Sequence, residues 1–309
     1  MNTPNQIAHA VKSGFSALPF MKKRRGVHPT ELGPYTLESK IGEGGMGAVW
    51  RARHATLDRP AAVKLIAREA DDVATRRFER EAQLTARLSH PNAVTVFDFG
   101  KTKDGTLWYA MELIEGLDLE KYVATYGALS PERVVTILVQ LCGALAEAHD
   151  HGLVHRDVKP SNVILAPQKD DDDDGDIAKL VDFGLVKNVV DTDAAMPLTA
   201  ENAITGSPMY MAPESIVSPD AVDGRSDLYS LGMLGWFLLV GRPPFEGNLI
   251  EVCSDHLHTT PKRPSAVLRR PVPKALEDVL LACMAKRAED RPANARVLRR
   301  MLKACADDC

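Results

Sequence analysis

The sequence predicts an α+β protein of two lobes, a small one built on an antiparallel sheet and a larger, mainly helical one. Three observations carry that prediction. Short β-compatible segments separated by Gly-rich or Asp/Pro turns fill much of residues 35–113. From Gly116 onward the pattern turns helical, with capping signals and Pro-containing loops. At 309 residues the chain suits one large domain or two modest lobes, on the scale of ~100–200 residues per domain.

Each element follows in order. Residues 35–41, 48–54 and 61–66 read as strands of a hairpin sheet, and residues 72–88 as a helix ended by Ser89-His90-Pro91-Asn92. Residues 94–99 and 107–113 are two further strands around the turn Lys103-Asp104-Gly105. Ser130-Pro131-Glu132 is a helix start, with Ser as N-cap, Pro at the first position and an acid near the positive end. That helix runs to about His151 and stops at Gly152. After about Ser215 the chain reads as helices joined by Pro-containing loops, and no internal repeat is visible. The acidic tract 170–174 with Gly175-Asp176 reads as a solvated surface loop.

Composition removes several classes of function. Hydrophobic residues at 45% and charged residues at 26% are ordinary for a globular protein, and a net charge of −4 makes no electrostatic case for nucleic acid. The five cysteines form neither a paired framework nor a CxxC metal signature, which favours a reducing compartment. The longest apolar run, 231–240, is broken by two glycines and is far short of the ~20 residues that span a bilayer, so it reads as a buried helix. No transmembrane segment and no signal-peptide order are found, so the expected location is the cytoplasm. Residues 1–34 read as a disordered extension and residues 303–309 as a tail. Within the extension, Ile7, Val11, Phe15 and Leu18 stand at helical spacing before Lys22-Lys23-Arg24-Arg25. Residues 7–25 therefore have two readings, a solvated tail or an arm that touches a membrane surface.

The chemistry-bearing residues fall in four runs. Gly42-Glu43-Gly44-Gly45-Met46-Gly47-Ala48-Val49 fits G-x-G-x-x-G-x-V, in which glycines bring backbone N–H groups close to phosphate oxygens. Strand candidates flank this loop on both sides, whereas a dinucleotide-binding loop opens a helix. Ala61-Ala62-Val63-Lys64 sets a lysine among apolar residues on a strand, where its charge requires an anion. A nucleotide phosphate and one carboxylate would satisfy it; Glu81 is the candidate, with Glu69 and Glu79 competing. His155-Arg156-Asp157-Val158-Lys159-Pro160-Ser161-Asn162 supplies a carboxylate for a proton, a lysine for a transferring phosphoryl group and an amide oxygen for a metal. Asp182-Phe183-Gly184 adds a second metal-binding carboxylate.

With these runs in order, residues 35–302 resemble the bacterial eukaryotic-like (Hanks-type) serine/threonine protein kinases. The resemblance implies the bilobal protein kinase fold, with an N-lobe of about 35–114, its helix C, and a C-lobe of about 115–302. It implies ATP as cofactor with Mg2+, or Mn2+ in its place, and protein Ser/Thr hydroxyls as acceptors. Lys64 would hold the α- and β-phosphates and pair with Glu81, Asp157 would be the base, Lys159 would contact the γ-phosphate, and Asn162 and Asp182 would bind the metal. Ile41, Gly42, Glu43, Gly44, Gly45, Met46 and Gly47 would cover the phosphates. Val49 and Ala62 would roof the adenine above Ile164, with Met111 as gatekeeper, Glu112 and Ile114 as hinge and Asp118 at the ribose.

Lys159 two residues after Asp157 is the Ser/Thr pattern, and Gly206-Ser207-Pro208 with Met211-Ala212-Pro213-Glu214 resembles the substrate loop, Ser207 keeping the usual hydroxyl. Arg156 beside Asp157 suggests control by phosphorylation of the loop 182–214, with Thr199 the first candidate and Thr205 the second, and a homodimer for autophosphorylation. Glu201 stands where relatives often carry another threonine. Asp227 resembles the anchor of the catalytic loop, and Arg291 the partner of Glu214. Thr85 replaces a usual leucine in the column linking the lobes, with Leu84 or Leu88 as compensating neighbours. Two other classes stand against the kinase reading: a catalytically inactive pseudokinase scaffold, which normally lacks the lysine, base or metal aspartate, and a small-molecule kinase, which would lack Pro213-Glu214.

Overall fold

A computed structural model describes residues 31–44, 47–69, 72–167, 175–184 and 208–306. The small lobe holds strands β1 (Glu31–Leu32), β2 (Tyr35–Gly44), β3 (Gly47–His54), β4 (Pro60–Glu69), β5 (Val96–Lys101) and β6 (Thr106–Met111), with helix α1 (Asp72–Thr85) between β4 and β5. They form one antiparallel sheet in the order β1-β2-β3-β4-β6-β5. Period-two alternation decides which face each side chain takes. Ala61, Val63, Trp108 and Ala110 pack on one face with Leu32, Tyr35 and Ala52. Ala62, Ile66, Leu107, Tyr109 and Met111 join the other cluster, which holds Ala74, Phe78 and Ala82 of α1.

Two expected boundaries shift in this lobe. Residues 31–34 belong to the sheet and not to a disordered extension: Leu32 pairs with Tyr35 and is buried, because it completes the cluster around Trp108. Helix α1 ends at Thr85 instead of Leu88, since Arg87 and Leu88 donate to carbonyls three residues back and tighten the chain. The exit from α1 is then tied to the helical lobe. Glu147 accepts from the Ser89 amide at 3.1 Å, the His90 amide at 2.8 Å and the Ser89 hydroxyl at 2.8 Å. The membrane-arm reading of residues 7–25 lies outside the described residues.

The large lobe is built from β7 (Leu117–Asp118), α2 (Leu119–Tyr126), α3 (Pro131–Asp150), β8 (Val163–Pro167), β9 (Asp176–Leu180), α4 (Pro213–Val217), α5 (Gly224–Val240), α6 (Leu249–His258), α7 (Pro264–Leu268), α8 (Lys274–Cys283) and α9 (Ala295–Cys305). The α3 boundaries follow the local signals, with the Ser130 hydroxyl accepting from the Arg133 amide at 3.3 Å and Pro131 in first position. Helix α5 is buried from Ser226 to Leu239, and a Cβ on Gly232 would come within 2.7 Å of Cys283 Cβ, so glycine lets α5 and α8 pack closely. Helix α9 runs past residue 302 because Ala295, Leu298, Leu302 and Cys305 form one buried stripe; residues 303–305 are helix, not tail. β7, β8 and β9 form a small antiparallel sheet whose strands carry no clear sequence periodicity. Of the acidic loop, 168–174 lies outside the described residues, and Asp176 starts β9 with its carboxylate on Arg133. Among the described residues no helix is long and apolar enough to cross a membrane.

Polar contacts inside this lobe hold its far end. Glu214 takes both terminal nitrogens of fully buried Arg291 at 2.7 and 2.8 Å and also accepts from the Ser226 hydroxyl. Nearby, fully buried His256 shares a hydrogen bond with the Tyr229 hydroxyl through Nδ1 at 2.8 Å, and burial, with Lys286 second, pushes its pKa down to about 4. The unfolded chain takes up a proton here below pH about 6.5 that the native state refuses until about 4. Stability contributed by neutral His256 is therefore full above pH about 6.5 and lost as pH falls through that window. In urea unfolding, His256→Leu should show a shallower loss of stability between those two pH values than the parent chain; equal slopes would contradict this assignment.

Candidate active site

The catalytic run is fastened from beneath by one carboxylate. Asp227 of α5 is 1% exposed and accepts from the His155 amide at 2.9 Å, the Arg156 amide at 2.8 Å and the His149 ring at 2.8 Å. Burial alone would raise its pKa, yet His149 and the amides hold it below the usual carboxylate range. Arg156 is thereby kept at φ +63°, a left-handed conformation that costs on the order of 1–3 kcal/mol. The His155 imidazole, pushed toward its neutral form by burial, lies 3.0 Å from the Val181 carbonyl through Nε2 and accepts from the Asp157 amide through Nδ1. Those partners set the tautomer with its proton on Nε2. The ring meets Phe183 edge-on at 4.7 Å.

The charged groups converge above this base. Asp157 Oδ2 lies 2.8 Å from Lys159 Nζ and accepts from Asn162 Nδ2 at 2.9 Å. The Asn162 amide also donates to the Asp157 carbonyl, which leaves its own oxygen as an acceptor. The Val181 amide donates to the Asn162 carbonyl at 2.9 Å, so Asn162 and Asp182 are held side by side. Asp182, at φ +62°, receives Lys64 Nζ on Oδ2 at 2.6 Å and the Tyr109 hydroxyl on Oδ1 at 2.5 Å. Burial would raise the Asp182 pKa; Lys64 and then Tyr109 outweigh it and hold the group ionised. The carboxylate on Lys64 is thus Asp182 and not the expected Glu81. Glu81 stands over the same segment, its Oε2 3.7 Å from where a Cβ on Gly184 would lie. Fully buried Thr85 donates its hydroxyl to the Glu81 carbonyl at 2.9 Å, and Leu88 is its buried neighbour.

The expected nucleotide cover is assembled by strand register. Gly44 pairs with Gly47, Gly42 with Val49, Val49 with Lys64 and Ala62 with Met111. A Cβ on Gly47, at φ +135°, would stand 1.9 Å from the Leu65 carbonyl oxygen, whereas one on Gly44 meets nothing within 4 Å. Ile41 is half-exposed and Glu43 is paired with Lys40, while Gly45 and Met46 lie outside the described residues. Ala62 and Met111 belong to the main core cluster, with Val49, Ile114 and Ile164 packed against it. Glu112 has a side-chain role that sequence spacing did not show: it takes the Thr95 amide and Lys179 Nζ, each at 2.8 Å. Asp118 pairs with Ile164 across β7 and β8 and caps α2 by accepting from the Lys121 amide at 2.8 Å. Thr199, Glu201, Thr205 and Ser207 lie outside the described residues. Among the described residues no three His, Cys, Asp or Glu side chains cluster to hold a metal. Asn162 and Asp182 instead offer two hard oxygen ligands, which fits Mg2+ sharing its shell with phosphates.

Comparison with known proteins agrees with this geometry. The protein kinase domain family matches residues 35–302, and the chain belongs to that family. It is 38% identical over 276 residues to the serine/threonine-protein kinase pkn3 of Myxococcus xanthus, covering 87% of this chain and 49% of that protein. Serine/threonine-protein kinases PknH and PknE of Mycobacterium tuberculosis are each 38% identical, over 85% of this chain and 40% and 44% of theirs. The chain therefore spans half or less of the length of these relatives. Its fold matches a crystal structure of Rad53 1-466 in complex with AMP-PNP at a TM-score of 0.68 and 24% identity, over 86% of this chain and 64% of the other.

The two glycines make a direct test of the loop. Gly47→Ala should weaken ATP binding by at least about tenfold, since moving the Leu65 carbonyl disturbs the strand that carries Lys64. Gly44→Ala should bind as the parent does. Nucleotide titration decides, and equal losses in both variants would contradict the steric account.

Proposed function

We propose that the chain transfers the γ-phosphoryl group of ATP to serine and threonine hydroxyls of proteins. The observation that carries this is the Val181–Asn162 backbone bond, which sets Asp157, Lys159 and Asn162 beside Asp182 and its partner Lys64. Those residues supply a proton acceptor, two cations and two metal-binding oxygens within one cleft.

In this reading Asp157 orients the acceptor hydroxyl and takes its proton as the new oxygen–phosphorus bond forms. The bond to ADP breaks in the same displacement. Lys159 neutralises charge on the moving phosphoryl group, and Lys64 leaves Asp182 to share the α- and β-phosphates. Asn162 and Asp182 would hold Mg2+, or Mn2+ in its place, which supplies charge neutralisation across the phosphates. Val49, Ala62, Met111 and Ile164 provide the apolar slot for adenine, Glu112 and Ile114 the hinge and Asp118 the ribose contact.

Specificity and control rest on resemblance and sequence. Lys159 supports the Ser/Thr acceptor class over tyrosine. Arg156, held in place by Asp227, is the cation that phosphorylation at Thr199, or second Thr205, would engage. Transfer between two copies of the chain is the proposed route, in the cytoplasm, with protein substrates. Lys64, Asp157 and Asp182 all stand in the cleft, which argues for catalysis over a pseudokinase scaffold.

Incubation with labelled ATP and Mg2+ tests this directly. The parent should label itself or a basic test protein, and Asp157→Asn should lose about 10²–10⁴-fold of that rate. No transfer by the parent with Mg2+ or Mn2+, or undiminished transfer by the variant, would overturn it.

A further inference from the structure

Tyr109 touches the centre of this site, yet the reaction just described makes no use of it. It lies on β6 directly across from Lys64 on β4, so both side chains rise from the same face of the sheet. The residue is fully buried, with its ring 6.4 Å from that of Phe78, which in turn meets Phe99 at 6.2 Å. A phenylalanine would fill that aromatic cluster equally well. A buried hydroxyl without an acceptor costs about 1–3 kcal/mol, so the oxygen is tolerable here because it reaches Asp182.

The bond has a specific consequence for Asp182. Its two carboxylate oxygens are held by two donors from adjacent strands, Lys64 on Oδ2 and Tyr109 on Oδ1. Lys64 is a long chain with a second task at the nucleotide phosphates. Tyr109 is rigid, core-packed and committed to Asp182 alone. When nucleotide draws Lys64 away, the Tyr109 hydroxyl is the bond that still orients the carboxylate. Hydrogen bonds to a metal-ligating group fix its orientation, and removing one typically costs 10–100-fold in metal affinity.

We propose that Tyr109 is a positioning residue for the divalent metal, its core-packed hydroxyl holding Asp182 in the orientation that receives the ion. This rests on the reading of Asp182 as a metal ligand. It acts through Asp182 and needs no contact with ATP or metal.

The test uses the full chain with a non-hydrolysable ATP analogue and measures bound Mn2+ from the electron paramagnetic resonance signal of the free ion. Tyr109→Phe should bind Mn2+ about 10–100-fold more weakly than the parent, with metal-free nucleotide affinity unchanged. In phosphotransfer assays its half-saturating metal concentration should rise by the same factor, and excess metal should restore kcat. Tyr109→Leu, which loses the ring as well, should melt earlier but show the same metal shift. A Phe variant that binds Mn2+ as the parent does overturns the proposal, as does a shift seen in the Leu variant alone or an equal loss of metal-free nucleotide. Asp182→Asn separates the two readings. If it keeps parental Mn2+ affinity, the assignment of Asp182 fails; if it loses affinity while Tyr109→Phe keeps it, only the role of Tyr109 fails.

Discussion

One buried carboxylate, Asp227, carries the catalytic loop. A charge at 1% exposure is costly unless fully bonded, and its partners are the His149 ring and the amides of His155 and Arg156. That arrangement converts the most buried helix of the large lobe into a platform for the residues beside it in the cleft. From His155 the support continues to the Val181 carbonyl and the Phe183 ring. From Asn162 it continues to the Val181 amide. Asp157, proposed as the proton acceptor, and the oxygens of Asn162 and Asp182, proposed to bind metal, are thus referenced to a single anchor. The charged groups are held close there by the backbone beneath them.

The lobes meet through a different set of contacts. Lys64 and Tyr109 belong to the sheet lobe, Asp182 follows the small sheet of the helical lobe, and all three form one hydrogen-bonded group. Glu147 ties the exit of α1 to α3 from the other side. The position of Asp182 is therefore a joint property of both lobes. The pairing of Lys64 with Asp182 in place of Glu81 belongs to the same balance. Asp182 is held by two donors of the sheet lobe at once, Lys64 and Tyr109.

What could be read from the sequence was chemistry that is costly in the wrong surroundings. A lysine inside an apolar strand, glycines at a hairpin tip and a carboxylate two residues before a lysine each mark the proposed chemistry locally. Helix α3 was equally legible, because Ser130, Pro131 and Gly152 are short-range signals. Strands β7, β8 and β9 were not, since segments of two to five residues carry too little periodicity to stand out. Nor were the second tasks of polar residues: Glu112 holding Lys179, Asp118 capping α2 and Tyr109 reaching Asp182. The first and last join residues 67 and 73 apart in sequence. The one available hint for Tyr109 was a hydroxyl within the run Leu107-Trp108-Tyr109-Ala110-Met111, where nothing else can donate except the Trp108 indole.

The dependence of the loop on Asp227 is open to a direct measurement, amide hydrogen exchange in Asp227→Asn. The amide side chain keeps the size but offers one acceptor oxygen, and its NH2 then opposes a backbone N–H. The His155 and Arg156 amides should exchange roughly 100-fold faster or more, with α3 and α8 protected as in the parent. Unchanged protection at His155 and Arg156, alongside full phosphotransfer, would contradict the account.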